Sequence, residues 1–362
     1  MAEASFPAAG SRLPFIDALK AVALQLIVLH HLAFYGPMSD HAYALIPELL
    51  SWLSQHARAV VQVFLVIGGF LAARSLAPTG TLVSSQPLRL LLKRYLKLAV
   101  PYLAALLIGI VCAALARTLM THESVPEQPT LAQLLAHALL LQGVLGYDGL
   151  SAGVWYVAID FQLFSLLLVV LWLARGVGGG GAGTALVGAL LVATVALLSL
   201  YYFNRDPAWD SWALYFFGSY ALGALSYWAA RAKHAVRWLL LIVAVVVAAL
   251  LFDYRSRIAV ALLVALAIGL ASRYGFLARW PRSSLFAYLG QISYSVFLIH
   301  FPVCLIINGL FTRAGVADPW LNLAGVILAW AASLLAGGLF YRFVESPAQR
   351  GFRGFRVTPR LT

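Results

Sequence analysis

Runs of mostly apolar residues, each about as long as a helix needs to cross a ~30 Å hydrocarbon core, fill this sequence from end to end. Ten lie near residues 14–34, 58–76, 95–116, 154–174, 184–203, 211–229, 237–252, 257–272, 288–311 and 320–344. An eleventh, 131–145 (LAQLLAHALLLQGVL), is too short to cross and is expected to lie at the interface or to re-enter. The chain is 62% hydrophobic and 10% charged, whereas a soluble domain has about 45–50% apolar and about 25% charged residues. The expected fold is all-α, a polytopic membrane helical bundle of about ten transmembrane helices plus the short outer helix. It is read as a single domain over 1–362.

Charge sets the orientation. With the N-terminus in the cytoplasm, only Arg58, Arg117, Arg205, Arg255, Arg257 and Arg313 of the 25 Lys and Arg residues fall outside. That bias matches the positive-inside rule and predicts both termini cytoplasmic. The net charge of +12 is then a topology signal, and a soluble basic face for nucleic acid is excluded. Cys112 and Cys304 both fall within spans and read as free thiols. Arg12 and the apolar run after it read as a retained span, because no small-residue cleavage site follows.

The first span, FIDALKAVALQLIVLHHLAFY at 15–35, carries Asp17, Lys20, Gln25, His30 and His31. Ionisable groups inside a span are costly and mark a functional pathway. From Lys20 to His31 is about three helical turns, roughly 16 Å, so both side chains point the same way. His30 lies about 100° off that face. The span therefore presents a cation toward one surface and an imidazole toward the other.

Along the rest of the chain the informative residues are few. Gly68 and Gly69 in the second span allow close backbone approach, and Arg74 closes that span on the inner side. Arg89, Lys93, Arg94 and Lys97 form the densest basic cluster. It reads either as positive-inside anchoring or as an anion site for phosphates. Asp160 and Gln162 lie inside the span 154–174, which opens with Trp155 and Tyr156. A carboxylate there needs a partner: a neighbouring helix, or a histidine such as His31 whose tautomer it would hold. GVGGGGAG at 176–183 reads as a flexible cytoplasmic linker. The spans from 184 to 272 show no chemistry, His300 reads as a packing residue, and Arg342 and Glu345 at i, i+3 are placed to pair. A basic tail closes the chain.

Together these pieces resemble the acyltransferase-3 family of integral-membrane O-acyltransferases over nearly the whole chain. Lys20 and His31 stand where its first-span arginine and histidine do. IGGFL at 67–71 resembles its Ser-Gly-Phe segment with Gly68 for serine, and Lys93-Arg94-x-x-Lys97 with Pro101-Tyr102 resembles its basic segment. Trp155 with Asp160 is similar to its Trp…Glu segment, and SYSVFLIHFPV and YRFVESPAQR to its C-terminal motifs. Lysine for arginine loses bidentate anion binding, and aspartate for glutamate shortens the reach. Some members carry a fused extracytoplasmic esterase-like domain; a chain ending at Thr362 resembles the stand-alone branch.

The resemblance implies transfer of an acyl group, acetyl above all, from cytoplasmic acyl-CoA to a hydroxyl of a saccharide or glycan acceptor outside. The setting would be a bacterial inner membrane, with no metal. Lys20, Arg74, Lys93, Arg94 and Lys97 are then the candidate donor-binding residues, with acetyl-CoA as donor. His31 is the candidate base or nucleophile and Asp160 its support, with Trp155 and Tyr156 toward the acceptor. The rival reading is a transporter or flippase that uses the same ionisable groups as a proton relay.

Overall fold

The computed structural model describes residues 12–351. The expected basic tail, with Arg353, Arg356 and Arg360, and the two termini lie outside the described residues. Among these residues every regular element is helical. In chain order the helices are α1 (Pro14–Phe34), α2 (Pro37–Ala42), α3 (Pro47–His56), α4 (Val61–Leu76), α5 (Pro87–Leu119) and α6 (Leu131–Ala138). Then come α7 (Val154–Val177), α8 (Gly181–Tyr201), α9 (Ala213–Arg231), α10 (Ala235–Phe252), α11 (Ser256–Arg273), α12 (Ser284–Arg313), α13 (Pro319–Phe340) and α14 (Ser346–Gly351). One π-helical turn, Tyr341–Glu345, joins the last two.

Local chemistry explains the starts. Pro14, Pro37, Pro47, Pro87 and Pro319 stand in the first helical turn, where a missing N–H costs nothing. Thr130 caps α6 by accepting from the Gln133 amide at 3.2 Å, and Asp318 caps α13 through the Leu321 amide at 2.9 Å.

Among the described residues, 9 helical stretches are long and apolar enough to cross a membrane. They form a multi-pass bundle. The predicted run 211–229 becomes α9, 19 residues long, but it is not one of the nine. Tyr215, Tyr220, Tyr227, Ser219 and Ser226 make it more polar, and these side chains are buried against its neighbours. The glycine linker is shorter than expected. Helix α7 runs to Val177 and α8 starts at Gly181, with Thr184 Oγ1 accepting from the Gly180 amide at 3.1 Å.

Small residues set the closest crossings. A Cβ on Gly69 would lie 1.8 Å from the Tyr220 carbonyl oxygen, and one on Gly223 would lie 1.9 Å from that of Val66. So α4 and α9 touch backbone to backbone, as small residues permit in lipid. Gly290 lets α12 lie on Asp17 of α1, and Gly337 lets α13 lie on Val296 of α12. The short segment 131–145 is tucked between α5 and α7. Tyr95 donates to the Ala138 carbonyl at 2.7 Å, and Gln162 to that of Leu140 at 3.3 Å.

Candidate functional site

The first halves of α1, α5 and α12 converge with α4, α7 and α9 on a cavity of about 840 Å³. Its wall carries five basic side chains, Arg12, Lys20, Arg74, Arg94 and Lys97, against three acidic ones, Asp17, Asp160 and Glu345. Of the predicted donor-binding residues, it thus brings together Lys20, Arg74, Arg94 and Lys97. Lys93, one residue earlier on α5, is exposed and is not part of the wall. A helical step of about 100° separates neighbours, so Lys93 and Arg94 cannot share a face.

Arg94 and Asp160 form an ion pair on the cavity wall, the guanidinium 26% and the carboxylate 7% exposed. Phe164 supports the guanidinium at 5.2 Å. This overturns one expectation. Asp160 does not hold His31, because α5 brings Arg94 into reach while His31 turns to α12. Gly68 is part of the same arrangement: a Cβ there would lie 3.0 Å from the Tyr220 ring and 3.3 Å from Asp160 Oδ1. The Tyr220 hydroxyl is buried with no hydrogen-bond partner among the described residues.

Glu345 differs from its sequence reading too. The π-helical turn widens the spiral, so the i, i+3 geometry assumed for Arg342 and Glu345 no longer holds. Arg342 stacks on Phe343 at 5.6 Å. Glu345 is buried, accepting from Ser295 Oγ at 2.5 Å and from Gln349 Nε2 at 2.7 Å. Among the described residues it closes no salt bridge to Lys20 or Lys97, which share its cavity.

At the end of the wall away from Arg74 stand Phe64, Tyr156 and Phe297. Tyr156 meets Phe297 edge-on at 5.4 Å between ring centres, and Phe297 lies 6.0 Å from His300. His300 in turn meets His31, with 2.6 Å between Nε2 of the former and Nδ1 of the latter. His31 is therefore outside the cavity wall, linked to it through His300 and Phe297. His30 turns the other way, its Nδ1 donating to the Leu53 carbonyl at 2.9 Å. Trp155 is also outside the wall, between the Arg58 guanidinium at 5.5 Å and the Phe216 ring at 5.6 Å.

Sequence reasoning named His300 and Glu345 but gave them other roles, and it missed Tyr220. The first two sit in the motifs SYSVFLIHFPV and YRFVESPAQR, where a polar group among apolar neighbours was the available signal. Tyr220 had none beyond the excess of aromatics in its helix.

The site thus joins a cavity whose wall carries more basic than acidic side chains to a buried pair of imidazoles outside that wall. Comparison with curated proteins and with solved structures gives no match. The family model for an acyltransferase domain matches residues 13–342, nearly the whole chain, and so includes the His31–His300 pair and most of the cavity wall, ending within the π-helical turn. The protein belongs to the acyltransferase-3 family and is a membrane acyltransferase.

Proposed function

We propose that the protein moves an acyl group, most simply acetyl, from cytoplasmic acyl-CoA to a hydroxyl of a saccharide or glycan on the opposite face of a bacterial inner membrane, both termini being cytoplasmic. One observation carries this reading: four predicted donor cations line one cavity of about 840 Å³, within the roughly 300–1,000 Å³ of small-molecule sites. Lys20, Arg74 and Lys97 meet the donor phosphates, and Asp160 holds Arg94 toward them. The thioester arm passes Tyr156 and Phe297 toward His31. There neutral imidazole takes the proton from the acceptor hydroxyl as its oxygen adds to the thioester carbonyl. The C–S bond then breaks, and the departing thiolate takes the proton back from the imidazolium. Trp155, on the Arg58 side, faces the acceptor.

Purified protein in nanodiscs tests this by release of free thiol from acetyl-CoA and transfer of labelled acetyl to a glycan fraction. His31→Ala should cost about 10²- to 10⁴-fold in rate, the usual worth of a general base, with normal insertion. His30→Ala should keep most activity. Turnover unchanged in His31→Ala, or substrate movement with no thiol released, refutes the reading and leaves the transporter.

A further inference from the structure

We propose that His300 is a positioning residue that fixes His31 as the Nδ1–H tautomer and leaves His31 Nε2 as the one lone pair available for chemistry. A backbone carbonyl can only accept. His300 Nδ1 lies 3.2 Å from the Val296 carbonyl oxygen, so that nitrogen carries the His300 proton and Nε2 of the neutral ring is an acceptor. His31 Nδ1 lies 2.6 Å from that acceptor and must be the donor. The chain of donors thus ends with the free electron pair of His31 on Nε2.

The ring geometry supports the assignment. The two imidazoles are within 6° of parallel, with centres 4.9 Å apart. With facing nitrogens at 2.6 Å, that separation requires the rings to meet edge to edge, nitrogen toward nitrogen. Both are buried, His31 6% and His300 1% exposed, and Phe297 packs beside His300. When His31 takes a proton on Nε2, its Nδ1–H bond to His300 is unchanged. Nothing has to rotate at the moment of reaction, which is the value of a preorganised site. A neutral histidine here holds the tautomer as a carboxylate does in a Ser-His-Asp triad, without placing a further anion inside the membrane.

This inference rests on the acyl-transfer reading only for its kinetic arm. The structural arm is ¹⁵N-histidine NMR of the full protein in lipid, with the His31 signals found by difference from His31→Ala. The expected result is Nδ1–H at His31, with scalar coupling across the N–H···N bond to His300 in the unmutated protein. His300→Leu removes the acceptor and should release His31 to the Nε2–H form. His300→Gln, whose Oε1 can accept the same proton, should keep Nδ1–H. In the kinetic arm, His300→Leu should lower kcat for thiol release by about 10²- to 10⁴-fold at unchanged KM for acetyl-CoA. His300→Gln should restore most of it. An Nε2–H signal or no coupling in the unmutated protein overturns the proposal, as does Nδ1–H persisting in His300→Leu. A tautomer that follows His300 in a protein that releases no thiol upholds the pair and defeats the function instead.

Discussion

Asp160→Asn separates two roles that a carboxylate in this span can have. The side chain is 7% exposed and its partner Arg94 26%, so the pair is largely withdrawn from solvent. Removing one partner of a buried pair typically costs 3–5 kcal/mol, because the other charge is left uncompensated. The partly wet guanidinium reduces this to about 2–4 kcal/mol. SDS titration of the folded fraction should therefore show that loss in Asp160→Asn. The double variant Arg94→Leu with Asp160→Leu, which buries no charge, should lie within about 1 kcal/mol of the starting protein. Kinetics complete the argument. A guanidinium without its counter-charge turns away from the donor, raising KM for acetyl-CoA about tenfold, or 1.4 kcal/mol, with little change in kcat. If Asp160 acted on His31, kcat would instead fall by about 10²- to 10⁴-fold at unchanged KM. Additive stability losses in the double variant, or a loss confined to kcat, would refute the Arg94–Asp160 assignment.

Lys20→Ala and Lys97→Ala each remove a cation from the cavity wall. Each should raise KM for acetyl-CoA about 10- to 100-fold, as charge-assisted contacts worth about 1.5–3 kcal/mol predict, and equal KM values would return both residues to a topology role. Gly69→Ala or Gly223→Ala puts a methyl within 2 Å of a backbone oxygen and should cost at least the ~1–3 kcal/mol of an overpacked core, read as lost folded protein in detergent. Reporter fusions after Lys97, Arg175, Lys233 and Arg350 should report cytoplasm and those near Glu123 and Asp206 the outside; a cytoplasmic 117–152 segment would reverse the placement of His31.

The helices were legible because their cause is local: twenty apolar residues can satisfy their backbone in lipid only by coiling. The Gly68–Gly69 step was legible as a packing site because a residue without a side chain lets a neighbouring backbone approach. The Thr130 cap and the different faces of His30 and His31 also follow from short-range geometry. Partner choice is a different matter. Nothing between residues 94 and 160 announces that α5 will carry Arg94 to Asp160 before any histidine can reach it. Glu345 was misplaced because i, i+3 reasoning assumes an α-helix, and a π-helical turn changes the phase. His300 looked like packing because its role exists only against a residue 269 positions away.

The backbone contact between α4 and α9 also orders events in time. Trp228 donates to the Ala77 carbonyl across 151 residues of chain, which at about 5–20 residues per second take roughly 8–30 s to synthesise. The stretch Pro47–Leu76 that ends in α4 is long and apolar enough to wait in lipid alone, with the glycines that will meet Tyr220 still turned to acyl chains. Helix α9 is not among the self-sufficient spans, and its buried tyrosines and serines are poor company for a lipid tail. It arrives after α4, α7 and α8 and finds its berth already built. The cavity wall is therefore built in steps, a reluctant helix being recruited by earlier ones before α12 and Glu345 close its remaining side.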